Sequence, residues 1–515
     1  MRVMKSVYIR GQKLELLMPA YDDLIRRWKE AAILSSCGSV LGWDERTYMP
    51  RNGSAHRAEQ MALIAKMCHR LTTDPKVGEL LAQAEKAKAD ESQGANLREI
   101  RRSYDRAVKL PSELVEEIAR VTTQAQQIWT DARANSDFAK FRPWLEKIVA
   151  LKRREAQAVG FTQHPYDALL DEFEPGATTE EIRSLFAALA KDLTPLVASI
   201  LSSGKKPKRE ILHREFPVAA QESFGRMAAE KIGFDFQAGR LDVTTHPFCS
   251  GIGPGDCRIT TRYNPKHFNE SYFGVLHESG HAIYEQNLPA EHFGTPLGSA
   301  ASLGIHESQS RLWENQVGRS RPFWEHFFPL AEKTFSQSLS GVLFDEFMFA
   351  INDVQASFIR VEADEATYNL HIILRFELEQ ALLTGDLKVA DVPVAWNERF
   401  QKLFNLTPPN DAQGCLQDIH WSFGGLGYFP TYTLGNLYAA QFMDQARIDL
   451  GGSQLDGDLR AGKFERLKRW LNEKIHHHGQ HYRAKVLCER ITGKPLSHRP
   501  FIEYLKSKFG PLYGV

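Results

Sequence analysis

The chain has 515 residues, 43% of them hydrophobic, with 64 lysines and arginines against 64 aspartates and glutamates. That length supports a large buried core, and the balanced charge, with no basic patch interleaved with aromatics, excludes nucleic acid as an expected partner. The opening stretch MRVMKSVYIRGQKLELLMP carries charges every few residues, and no uncharged run of about 18 apolar residues follows it, so a soluble, unexported protein without a membrane partner is expected. Six cysteines (Cys37, Cys68, Cys249, Cys257, Cys415 and Cys488) are scattered without paired spacing, which fits buried thiols in a reducing compartment.

Helical periodicity dominates from the start, in YDDLIRRWKEAAIL and AHRAEQMALIAKMCHRL. In TTEEIRSLFAALAKDL, Thr178 and Glu181 form a capping-box pattern, and Ile182, Leu185, Phe186, Leu189 and Leu193 recur on one face. Residues 204–210 and 405–413 read as loops within one body, because helical patterning resumes after each. One segment differs: LDVTTHPFCSGIGPGDCRITTRY flanks a glycine-rich turn with β-branched residues and reads as a short hairpin or meander. There, alternation puts Arg258, Thr260 and Arg262 on one side of a strand. Further helices are expected in ADEATYNLHIILRFELEQALL and in FERLKRWLNEKIHHHGQHYRAKVLCERI. The fold class is therefore mainly α with a small β-sheet.

HESGH, residues 277–281, follows the sheet. Helical residues four apart stand one above the other, so His277 and His281 can offer two imidazole nitrogens to one ion, with Glu278 within reach of a water beside it. No proline falls between Pro265 and Pro289, and Val275, Leu276, Ala282 and Ile283 supply apolar positions around the motif. Zinc needs a third protein ligand. Glu285 is badly placed for that, since its Cα lies about 12 Å along the axis from that of His277, and an outer or surface role suits it better. Glu307, in GIHESQSRLWEN, can return across the first helix and is the expected third ligand, with His306 and Glu314 as weaker candidates. The histidine-rich KIHHHGQHY puts only His477 and His481 on a shared face and reads as polar packing.

Five further stretches join this pattern: HPF at 246–248, DCRIT at 256–260, HESQ at 306–309, IRVEAD at 359–364 and GCLQDIHW at 414–421. Together with HESGH, in this order, they resemble the motif set of the carboxypeptidase Taq family of zinc metallocarboxypeptidases. The resemblance implies a large helical zinc-peptidase fold with a deep groove, an N-terminal extension over residues 1–16 and a single catalytic domain over 17–515. It also implies homodimers, cytoplasmic residence and stepwise release of C-terminal residues from peptides with a free C-terminus. By this likeness His277, His281 and Glu307 hold one Zn2+ or Co2+ per chain, and Glu278 is the catalytic carboxylate.

Amide hydrolysis also needs donors for a developing oxyanion. His420 and a tyrosine of GYFPTYT are the candidates, Tyr432 ahead of Tyr428 by likeness to related helical zinc peptidases, and Asp418 can orient a histidine. A free carboxylate suits the planar fork of an arginine, with Arg360 the first choice and Arg258 the second; each can instead pair internally, Arg360 with Asp364 and Arg258 with Asp256. His246, with Pro247, would shape the closed end of the groove. Two rivals remain: a zinc oligopeptidase that cuts internally, and a non-catalytic helical binding protein stabilised by metal.

Overall fold

Helical segments run through most of the chain in a computed structural model that describes residues 18–515, and one small sheet interrupts them, as expected. The extension expected over residues 1–16 lies outside the described residues. Residues 17–515, expected as one domain, group into two compact units. One comprises the described residues up to Val108 with Pro289–Ser299 and Gly479–His481, and the other comprises Lys109–Leu288, Ala300–His478 and Tyr482–Val515.

In the smaller unit, Met18–Thr47 packs against helices Ser54–Thr72 and Pro75–Ala84. Asp74 caps the last of these by accepting from the Lys76 amide at 2.8 Å, and Pro75 opens it with a preset φ. Leu24, Val77, Leu80, Leu81, Leu97 and Ile100 form its core.

The larger unit holds the main core and every residue proposed for chemistry. Helix Thr179–Ser202 starts at Thr178, whose hydroxyl accepts from the Glu181 amide at 3.3 Å, and buries Ile182, Phe186, Leu189 and Leu193. By length and composition it is the one described helix apolar enough to cross a membrane, yet that apolar stripe faces the protein core.

The sheet is β1 (Gly239–Val243), β2 (Cys249–Gly253) and β3 (Asp256–Thr261), in the order β1-β3-β2. β2 and β3 form the expected hairpin around Pro254 and Gly255. β1 departs from a meander: it pairs with β3 in parallel, Leu241 opposite Ile259, so the connection through His246 crosses over. All six cysteines are free; Cys257, Cys415 and Cys488 are buried and Cys37 is exposed. The long terminal helix expected from Phe464 onward is broken into Glu465–Lys474, a short 3-10 stretch at His476–His481 and Ala484–Thr492. The first helix stops at Lys474, and Gly479, at φ 49° inside the 3-10 stretch, takes a backbone geometry that other residues rarely adopt.

Candidate metal centre

Helix Phe268–Gln286 carries the HESGH motif and packs on β2, β3 and helices Val218–Ile232 and Leu303–Arg311. It is buried around much of its circumference by Phe268, Tyr272, Val275, Leu276 and Ile283, so its polar residues face protein rather than water. Gly280, the motif's fourth residue, has a packing role. A Cβ there would fall 2.5 Å from the Gln309 carbonyl oxygen and 2.6 Å from Ser310 Cα. The missing side chain lets helix Leu303–Arg311 approach, and that helix brings Glu307. Ser302 caps it, accepting from the Ile305 amide at 3.0 Å, and a π-helical turn at Leu312–Val317 continues it. Gly435, on helix Pro430–Leu450, admits Glu307 from the other side: a Cβ there would sit 2.5 Å from Glu307 Cγ.

His277, His281 and Glu307 thereby converge, with potential ligand atoms all within 4.8 Å of one another. Glu307 Oε2 lies 3.8 Å from His277 Nε2 and 3.4 Å from His281 Nε2. Ligands on bonds of about 2.0–2.1 Å around a tetrahedral ion stand about 3.3–3.5 Å apart, so the donor set and its spacing fit a divalent cation such as zinc. Among the described residues no other group of three such side chains does so, and the 476–481 histidines do not join one. The weaker ligand candidates sit outside this ring. Glu314 Oε2 meets His277 Nδ1 at 2.9 Å, and His306 Nδ1 meets His281 Nδ1 at 2.5 Å. Glu285, too far along the helix to be a ligand, meets His306 Nε2 at 2.8 Å.

Burial and neighbouring charges set the ionisation of each group in the site. Burial opposes ionisation of Glu307, but Arg311 and His277 outweigh it and hold the carboxyl well below its usual range. Arg311 donates from Nε to Glu307 at 2.7 Å and from Nη1 to Glu314 at 3.0 Å. Burial pushes Glu278 up to about 7, against the pull of His277. For His281, burial and then His306 push the imidazole down to about 3.

The second cluster is built by Asp418. Arg360 and Arg375 share its carboxylate and, against burial, hold it well below the usual range. The internal partner expected for Arg360 was Asp364. That carboxylate instead accepts from the Ala366 and Thr367 amides just before helix Tyr368–Thr384, because short side chains reach local backbone first. Arg360 also donates to Tyr368 at 2.7 Å and lies over the Tyr432 ring. Asp418 is 4.0 Å from His420 Nδ1, too far to orient it by a hydrogen bond. His420 Nε2 and the Tyr432 hydroxyl are 3.1 Å apart, and burial followed by Arg360 pushes the imidazole down to about 3, leaving it neutral at pH 7. Tyr432 lies three residues before Gly435, hence on the helix face that meets Glu307. Tyr428 packs beside it at a tilt, with ring centroids 5.4 Å apart.

Arg258 pairs with Asp256 through two bonds of 2.8 and 2.7 Å, the partner expected for it, and His246 is exposed in the β1–β2 connection. Arg311, Arg375 and Tyr368 were not foreseen. For Arg311 the signal was present, a cation four residues after Glu307 on one helix. Arg375 and Tyr368 gain their roles only through contacts across the fold.

The family model described as carboxypeptidase Taq (M32) metallopeptidase matches residues 23–509. The chain is 47% identical over 509 residues to thermostable carboxypeptidase 1 of Thermus thermophilus, covering 96% of this chain and 99% of that protein. It is 38% identical to carboxypeptidase 1 of Bacillus subtilis, covering 96% and 98%. Its fold is similar to the crystal structure of an M32 carboxypeptidase from Deinococcus radiodurans R1, at a TM-score of 0.94 and 39% identity, covering 96% and 100%.

Proposed function

Because the chain belongs to the carboxypeptidase Taq (M32) metallopeptidase family, we infer that it is a metal-dependent carboxypeptidase that releases C-terminal residues from peptides. The observation that carries the reading is the convergence of His277, His281 and Glu307 beside the buried Glu278. A divalent cation held by that trio supplies Lewis acidity, lowering the pKa of a coordinated water and polarising the scissile carbonyl. Zinc suits the two-imidazole, one-carboxylate donor set, one ion per chain, and cobalt fits the same donors.

Glu278 takes the proton of the attacking water and returns it to the leaving amine. Its carboxyl, raised by burial toward neutral pH, suits both steps. Tyr432 and His420 donate to the oxyanion that develops on the substrate carbonyl. The neutral His420 and the hydroxyl 3.1 Å from it support that pairing, with Tyr428 next to them. For the substrate's free carboxylate, side-chain exposure favours Arg258 over Arg360, reversing the order suggested by the sequence. The Arg258–Asp256 pair is 17% and 37% exposed, against 6% and 10% for Arg360–Asp418, so a second carboxylate competes there at lower desolvation cost. The exposure of His246 at the crossover beside that strand supports a role in shaping the closed end of the groove.

Cytoplasmic residence is supported by the six free thiols, and homodimerisation by the family resemblance alone. The defining assay is release of a C-terminal amino acid from a short peptide, abolished by a chelator and restored by Zn2+, with light scattering for the dimer. Equal cleavage of a peptide with an amidated C-terminus would favour an internally cutting oligopeptidase instead.

A further inference from the structure

We propose that Glu285 and His306 form an outer dyad that decides which nitrogen of His281 carries its proton, and so keeps Nε2 of His281 open as a ligand. This rests on the reading of His277, His281 and Glu307 as a metal centre.

The argument is one of counting protons along a chain of four heteroatoms. A neutral imidazole has one N–H and one bare nitrogen. His281 Nδ1 and His306 Nδ1 face each other at 2.5 Å, so one must donate and the other accept. If His281 donates, His306 accepts at Nδ1 and carries its own proton on Nε2. There Glu285 Oε1, 2.8 Å away, receives it. Every polar atom of the relay then has a partner, and the bare Nε2 of His281, 3.4 Å from Glu307 Oε2, is left to a bound cation, without which it too would be an acceptor facing a carboxylate. If the direction is reversed between neutral rings, the bare Nε2 of His306 faces a carboxylate oxygen, two acceptors in contact; a doubly protonated His306 would satisfy Glu285 but would set a second positive charge against the ring that holds the cation. His281 would then carry its proton on Nε2, the nitrogen needed as ligand. With a cation taking up the Glu307 carboxylate, the negative charge of Glu285, at the shorter contact of 2.8 Å, favours the tautomer two rings away. His277 needs no relay, since the Glu314 carboxylate meets its Nδ1 directly at 2.9 Å.

Glu285 is itself held in place. It lies one turn beyond His281 on the same helix, and β2 presses against it at Gly251, where a Cβ would fall 2.4 Å from Glu285 Oε2. The small sheet thus braces the far end of the relay. Glu285 and His306 act through His281 and are positioning residues.

The test uses the full-length protein, stripped of metal and titrated with Zn2+ against a chromophoric chelator, with Co2+ substitution as a spectroscopic readout. Outer partners of liganding histidines typically govern about 10- to 100-fold in metal affinity. His306→Phe, which removes the acceptor, should weaken Zn2+ binding by about that range and alter the Co2+ visible spectrum. Glu285→Gln, whose amide can donate as well as accept, should weaken it by roughly tenfold. His306→Gln offers an amide oxygen to Nδ1–H of His281 and should recover most of the loss. Metal-free melting temperatures should stay close to wild type. Affinities within twofold of wild type in His306→Phe and Glu285→Gln, or equal losses in His306→Gln and His306→Phe, would overturn the proposal while leaving the metal centre intact. A folded wild type that takes up no stoichiometric Zn2+ would overturn the metal centre itself.

Discussion

Arg360 donates from Nε and from Nη2 to a single oxygen of Asp418, at 2.9 and 2.7 Å. Arg375 occupies the other oxygen, 2.6 Å from its Nε, with its own side chain fully buried. One carboxylate is therefore shared by two guanidinium groups inside the protein, and the trio keeps a net positive charge. Removing one partner of a buried pair costs about 3–5 kcal/mol, because the survivor is left charged and dry. Asp418→Ala should reach that range, since it strands two arginines, and Arg360→Ala should cost less, since Arg375 still neutralises Asp418. Urea unfolding of the metal-free variants at pH 7 measures both, and the reverse order would contradict the shared-carboxylate account.

The same burial contrast separates the two arginines in catalysis. Arg258→Ala should raise KM for peptides with a free C-terminus by about 10-fold or more, and should flatten the preference for free over amidated peptides, as expected when a bidentate charged contact is lost. Arg360→Ala should lower kcat/KM for both peptide types by the same factor. Steady-state kinetics on a matched peptide pair decides between them.

Glu278→Gln should keep its metal and lose about 10²- to 10⁴-fold in kcat, the usual weight of a positioned general base. Metal content together with single-turnover rates checks this. Near-normal turnover would remove Glu278 from the mechanism.

A pH experiment on the metal-free protein probes the same side chain. Burial holds the Glu278 carboxyl at about 7, above the ordinary 4.5, so the folded state binds the proton more tightly than the unfolded chain. That contribution is fully present below pH 4.5 and is lost as the pH rises through 7. Glu278→Gln cannot ionise there. The stability of the variant relative to wild type should therefore grow by about 3 kcal/mol between pH 4.5 and pH 8. A constant difference in unfolding free energy across that range would show that Glu278 titrates normally.

Gly435→Ala places a methyl group against the Cβ and Cγ of Glu307. Overpacking of this kind costs about 1–3 kcal/mol and shifts the neighbour that yields most easily, here the proposed metal ligand. Chelator competition should show weaker Zn2+ binding in this variant, together with a lower melting temperature. Unchanged affinity would mean that the two helices separate without moving Glu307.

Much of this centre could be read without coordinates because it is local. Four residues make about one helical turn, so His277 and His281 were bound to share a face, and Glu278 to stand beside them, once the segment was helical. The apolar period likewise placed the helix from Thr179 and its Thr178 cap. Glu307 was reachable through its own short motif. The partners of these groups were not legible, since spacing along the chain says nothing about which charge arrives from a distant element. Tertiary packing set Glu314 and His306 against His277 and His281 rather than in the converging trio, and drew Arg360 to Asp418 while backbone amides claimed Asp364. It set β1 parallel to β3 and broke the terminal helix after Lys474. Buried polar groups must be satisfied by whatever neighbour the fold supplies, and that neighbour is chosen by three-dimensional proximity.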